Sequence, residues 1–266
     1  MKYDLAQLAR AQGVRRTKVL RDIKPPAMFA TNLYHSVYAP IVSEWSMAVP
    51  AIMAEYTRAL GDLTTDSPAD VQAAIDNADS AASVLFFSLT PRLRDWVLRV
   101  EKWQRSKWRG AVLAASNVDI GQLIGPFDVR ATLDTTIARN VGLIKDVSAQ
   151  ARQRISAAVF DGLRNRTPAR EVAANIRAAV GMSRRRSVNI ASDQLSKLTS
   201  ALADERRREA GIHDWLWLHS GKRNFRPEHR ARNGKEYSDA SAPNDRPGQL
   251  PYCGCRSRGI LKMDDE

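Results

Sequence analysis

His229, Cys253 and Cys255 are the residues of this 266-residue sequence whose types and spacing best suit a specific chemistry. Two thiols separated by one glycine, in Pro251-Tyr252-Cys253-Gly254-Cys255, can aim both sulfurs at one point, and an imidazole adds a third donor. Zinc is the metal that such nitrogen and sulfur donors suit. A small loop-rich domain also gains most from a metal staple. The fourth ligand would come from His219, from His213 or from an aspartate. In the plainer alternative the cysteines pack as small buried residues and His229 hydrogen-bonds a loop carbonyl. A disulfide is not expected, because the two cysteines, the only ones in the chain, are too close for an unstrained ring.

A second chemistry makes His229 a general base, oriented by Glu228 or Asp245, with Arg226 or Arg256 stabilising a phosphorane. That would be a zinc-stapled nucleic-acid-processing enzyme. The sequence has no second nuclease-type histidine motif, no carboxylate cluster for two metals, no phosphate-binding lysine loop and no dinucleotide fingerprint. Binding is therefore expected rather than catalysis, with no small-molecule substrate.

The charge balance points to a polyanion. Lys and Arg number 41 against 29 Asp and Glu, a formal net charge of +12. Half of that excess falls between Arg184 and Arg232, where Arg184, Arg185, Arg186, Lys197, Arg206, Arg207, Arg208, Lys222, Arg223, Arg226, Arg230 and Arg232 outnumber six acidic residues. All of these except Lys197 are candidate contacts to double-stranded DNA of any sequence. A solvated basic surface is the alternative for the two arginine triplets. No apolar run is expected to reach the ~18–20 residues of a membrane span, and the N-terminus does not read as a signal peptide. Use in a reducing cytoplasm follows as an expectation.

The elements around these residues read as mostly α-helix, followed by a C-terminal α+β module of short antiparallel strands and loops. Ser67-Pro68, Thr90-Pro91 and Thr167-Pro168 mark helix starts, each a hydroxyl N-cap before proline at the first helical position. Leu93, Trp96, Val97, Val100 and Trp103 share a helical face, as do Ile155, Val159 and Leu163, then Val172, Ile176 and Val180, with Gly181 as a stop, then Leu195, Leu198 and Leu202. Trp96, Trp103 and Trp108 could stack on bases, but their helical spacing is that of a core face, and the first two read as core. Ile41 to Leu60 reads as a helix closed by Gly61, kinked or broken at Pro50, and Gly110 to Phe127 as the main internal break. Trp215 to Leu218 reads as a strand, Asn233-Gly234 as a hairpin turn and Arg258 to Lys262 as a closing strand. Three parts follow: a basic arm and linker over 1–40, a helical domain over 41–182, and a module over 183–266 made of a long helix and a small α+β domain.

A family resemblance enters on an ordered set of motifs. These are Asn189 to Gln194, Ala210 to Ser220 (AGIHDWLWLHS), Arg226-Pro-Glu-His229, Asn233 to Tyr237, and Pro251 to Arg256 (PYCGCR). With Thr167 to Ile176 and Arg184 to Ala191 upstream, about the last hundred residues resemble the phage Mu F-like head morphogenesis family, the minor head proteins of tailed bacteriophages. One departure stands out: where many relatives carry an aspartate shortly after the tryptophan strand, this chain has Ser220-Gly221-Lys222. The resemblance implies a minor head protein assembled with the portal and with capsid and procapsid proteins. It would face packaged DNA in the virion, inside the capsid near the portal, and lie in the host cytoplasm during assembly.

Overall fold

A computed structural model of the chain describes residues 2–61 and 67–263. In chain order the elements are α1 (Leu5–Ala11), β1 (Lys18–Val19), α2 (Met28–Leu33), a π-helical turn (Tyr34–Tyr38), α3 (Ala39–Gly61) and α4 (Ser67–Ser116). A 3-10 turn (Phe127–Val129) leads to α5 (Arg130–Arg164) and α6 (Ala169–Glu209), and then to β2 (Asp214–Leu218), α7 (Pro227–Ala231), β3 (Glu236–Ser238) and β4 (Arg256–Leu261). The fold is mostly α with a small antiparallel sheet near the C-terminus, as the sequence pattern indicates.

The chain divides into two compact units that do not follow its order. Residues 1–29, 96–136 and 192–266 form unit 1, and residues 30–95 and 137–191 form unit 2. The expected succession of arm, helical domain and C-terminal module is corrected accordingly, since α4, α5 and α6 each contribute to both units.

In unit 1 the sheet order is β1-β4-β2-β3, all antiparallel. Lys18 pairs with Leu261, and Leu20 N–H donates to the Gly259 carbonyl at 2.9 Å. The N-terminal residues are therefore an edge of the C-terminal sheet rather than a free arm. The backbone N–H groups of Lys2, Tyr3 and Leu5 donate to the Glu209 and Ala210 carbonyls, filling the open end of α6. Leu5, Leu20, Trp108, Val112, Ile120, Ile212 and Leu261 form the core beneath. Trp215 and Trp217 face a second small cluster with Cys253 and Cys255, while Leu216 and Leu218 on the other face of β2 are half-buried.

Unit 2 is helical. Tyr38 donates to Asn140 at 2.8 Å, Trp45 Nε1 to Ser148 at 2.9 Å, and Tyr56 to the Thr167 carbonyl at 2.5 Å. Contrary to expectation, the helical stretch Met28–Gly61 is long and apolar enough to cross a membrane by length and composition alone, with a mean hydropathy of 1.2 over 18 residues. Leu33, Val37, Tyr38, Ile41, Val42, Trp45, Ile52, Tyr56 and Ala59 are nevertheless buried. Together with the three hydrogen bonds, these residues pack one face of the stretch within unit 2, a third of its most apolar window being buried.

Several local signals yield to packing. Pro50 lies inside α3 and Pro91 inside the 50-residue α4, so Thr90-Pro91 does not start a helix. A proline there removes an N–H and crowds the previous turn. Burial of Leu89 and Leu93 before and after it, and of Trp96, Val97 and Val100 beyond, holds the helix together. Gly181 likewise lies within α6, and Gly110 within α4, the break coming at Asn117. The start at Ser67 is present, as is a start directly after Pro168.

Two glycines then behave oppositely. A Cβ at Gly181 would meet nothing closer than Arg185 Nη1 at 3.8 Å, so Gly181→Ala should stabilise by about 0.5–1 kcal/mol through unfolded-chain entropy. A Cβ at Gly162 would lie 2.6 Å from Val172 Cγ2 and 3.0 Å from the Tyr56 hydroxyl, so Gly162→Ala should destabilise by about 1–3 kcal/mol. Urea denaturation midpoints of the two variants check both signs.

Candidate functional site

The loop entering β4 and the short helix α7 build the site. Pro227 occupies the first turn of α7 and Arg226 precedes it in extended backbone. This turn carries His229 into the interior, where it is 2% exposed. Its Nδ1 lies 3.4 Å from Cys253 Sγ and 3.7 Å from Cys255 Sγ. The three ligand-type atoms all fall within 4.8 Å of one another, and both thiols are free.

The other ring nitrogen, Nε2, is 2.9 Å from Asp245 Oδ2, and Arg232 Nη1 donates to Asp245 Oδ1 at 2.7 Å. Burial raises the Asp245 pKa, but the hydrogen bonds from His229 and Arg232 outweigh it and leave the carboxyl below its usual value. With Nε2 as the donor to this carboxylate, Nδ1 turns a lone pair toward the sulfurs. Trp217 packs against the His229 ring at 5.1 Å and Arg232 lies over Trp217 at 5.0 Å.

The cysteine loop is held from α6. Asp193, 7% exposed, accepts from Lys197 Nζ at 2.6 and 2.7 Å and from Tyr252 N–H at 2.6 Å. That last bond fixes Tyr252 at φ +61°, a left-handed conformation unusual for a non-glycine residue. Cys253 is pulled down to about 5, chiefly because Cys255 hydrogen-bonds to its sulfur, with backbone N–H groups of Cys255 and Gly248 adding to the effect. Cys255 is pushed up by the same interaction and by burial. The Trp217 indole N–H approaches the Cys255 sulfur only loosely, since it completes no hydrogen bond.

Neither expected fourth ligand joins the cluster. His213 is exposed and lies 3.4 Å from Asp239. His219 accepts the Gly221 N–H through Nδ1 at 3.2 Å and packs edge-on against Phe225. Asn233-Gly234 does not form a two-residue hairpin: Gly234, at φ +76°, ends the turn after α7 and donates to the Trp217 carbonyl. Asn233 Oδ1 accepts the His219 N–H. As for hydrolysis, one nitrogen of the buried His229 faces sulfur and the other faces Asp245. Arg256 is committed to Asp22 by two bonds of 2.8 Å.

The basic candidates divide by environment. Arg206 and Arg207, 0% and 2% exposed, cannot present phosphate contacts, which corrects their assignment to a DNA surface. Arg206 is enclosed by Glu101, Glu209, Asp128 and the Gly125 carbonyl, and Arg207 pairs with Asp204 under the Trp215 ring. Arg186 pairs with Asp146, Arg208 with Glu205 and Arg232 with Asp245. Arg184, Arg185, Lys222, Arg223, Arg226 and Arg230 have no carboxylate partner among the described residues. In unit 1, Lys222 donates to the Tyr252 carbonyl at 3.2 Å, Arg226 to the Pro251 carbonyl at 3.2 Å, and Arg230 lies over Phe225 at 5.1 Å. Phe225 and Tyr252 are themselves exposed. The result is a basic patch with aromatic rings beside the cysteine loop.

This arrangement of α6, the tryptophan strand, α7 and the cysteine loop falls in residues 153–258, which match the family model for Phage Mu protein F like protein. Over these residues the chain is similar to that family. A Haemophilus influenzae protein described as an uncharacterized protein is 28% identical over 141 residues, covering 52% of this chain and 32% of the relative. The chain thus spans about a third of the length of that curated relative. No solved structure gives a significant match. The Mu F-like segment contains His229, Cys253 and Cys255 and every basic candidate.

Proposed function

We propose that the chain is a minor head protein of a tailed phage that sits inside the capsid at the portal and touches packaged DNA, acting by binding and positioning. The Mu F-like match over 153–258 carries this reading. Two surfaces support its finer parts. The patch of Lys222, Arg223, Arg226 and Arg230 lacks acidic partners among the described residues and carries exposed Phe225 and Tyr252, a combination that suits phosphates of any sequence. In unit 2, α4 exposes Val84 (68%) and Phe87 (85%) one turn apart, an apolar offer to a protein partner such as the portal.

The purified chain should bind duplex DNA without sequence preference and without cutting it. Each neutralised phosphate contributes roughly −0.9 to the slope of log affinity against log salt. Changing Lys222, Arg223 and Arg230 together to Ala should therefore flatten that slope by about 2–3. An unchanged slope would remove the patch from the DNA interface, and a salt-independent affinity would remove DNA as a partner. For the portal, co-purification with the full-length chain should be lost in Val84→Ser, Phe87→Ser. A truncation at residue 182 is unsuitable, because it would cut α6 and strip β2, β3 and β4 from unit 1.

A further inference from the structure

We propose that His229 Nδ1, Cys253 Sγ and Cys255 Sγ bind one zinc ion, with water at the fourth vertex and Asp245 as the residue that positions the histidine. Bond lengths of about 2.05 Å to nitrogen and about 2.3 Å to sulfur, meeting at the tetrahedral angle, give a nitrogen to sulfur edge of about 3.6 Å. The two edges here are 3.4 and 3.7 Å. The one lone pair on Nδ1 faces both sulfurs. A single ion satisfies all three atoms at once.

The surroundings have the form that metal-bound histidines take, the distal N–H held by a carboxylate. Asp245 does this at 2.9 Å and is itself fixed by Arg232. Two thiolates and a neutral imidazole are a zinc donor set, softer than calcium or magnesium accept. Water takes the fourth place because His213 points to solvent and His219 is in the wrong tautomer. With Nδ1 accepting the Gly221 N–H, the proton of a neutral His219 ring lies on Nε2, which then has no lone pair for a metal. The ion would tie α7 to the start of β4, where, among the described residues, the buried cluster is Trp215, Trp217 and the two cysteines, flanked by half-buried Tyr237, Ala242 and Leu250.

The test uses the full chain and does not depend on the head-assembly reading. Protein prepared under reducing conditions without chelator should contain about one zinc per chain. After stripping, Co²⁺ should restore the site with thiolate charge-transfer absorption and the intense d–d bands of tetrahedral cobalt. Cys253→Ser with Cys255→Ser should abolish both signals. Asp245→Asn should keep the stoichiometry but weaken zinc binding about 10–100-fold. His213→Ala and His219→Ala should leave the cobalt spectrum unchanged. No zinc and no cobalt uptake by the reduced chain would overturn the proposal, as would a cobalt spectrum without charge transfer or a Cys253–Cys255 disulfide in fresh protein. Should the double cysteine variant fail to fold, the unaltered chain's metal content and cobalt spectrum decide alone.

Discussion

Arg206→Ala should be among the most damaging single changes in unit 1, costing about 3–5 kcal/mol and lowering Tm by on the order of 10 °C. The guanidinium is fully buried and reaches Glu101 at 3.1 Å, Glu209 at 2.9 Å, Asp128 at 3.5 Å and the Gly125 carbonyl at 2.8 Å. Its removal strands Glu101, 2% exposed, with only Arg105 at 3.3 Å as partner. The loss comes from uncompensated buried charge rather than from the worth of the ion pairs. Arg206→Met with Glu101→Leu should therefore recover much of what Arg206→Ala loses. A double variant no more stable than Arg206→Ala would show that the network itself, and not the stranded carboxylates, carries the stability. By contrast Arg208→Ala, at an exposed residue paired with Glu205, should change the melting temperature little.

Trp217→Ala should cost about 3–5 kcal/mol, because the ring is fully buried. It packs on Trp215 at 6.2 Å, Tyr237 at 6.3 Å and His229 at 5.1 Å, with Arg232 on its face. The change should do more than open a cavity, since the same ring fixes the plane of His229. Calorimetry measures the first effect, and tryptic cleavage within 219–255 measures the second. Trp217→Phe, which keeps an aromatic edge to the histidine, should recover part of both. A variant that melts normally and resists trypsin would show that Trp217 is not the anchor of this loop-rich region.

The helices and the tryptophan strand were legible because burial repeats in the sequence at the periods of those elements. Ile155 and Val159, Val172 and Ile176, and Leu195, Leu198 and Leu202 are all buried as their spacing requires. The same pattern held a further message. Four residues beyond Leu202 is Arg206, on the inward stripe of α6, so its burial followed from the periodicity while its charge suggested solvent. Stops and starts were misleading at Pro91 and Gly181, where packing on both sides outweighs a local penalty of about 1–3 kcal/mol. The pairing of β1 with β4 joins residues more than 200 apart, and a two-residue strand carries no signal of its own. Within the site, the cysteine pair and His229 stood out by residue type, while the orienting carboxylate was left open between Glu228 and Asp245, which the structure resolves to Asp245. The hold of Asp193 on Tyr252 did not, because a single buried aspartate on a helix reads like any other charged residue until the loop it grips is seen.

As the proposed component of a phage head, the chain should fractionate with head structures. Heads, tails and DNA-free procapsids from the encoding phage can be separated and their proteins identified by mass spectrometry, with cross-linking before disruption. The chain should occur in heads and procapsids, be absent from free tails, and cross-link to the portal. Its absence from both heads and procapsids, or its recovery with tails alone, would contradict the account.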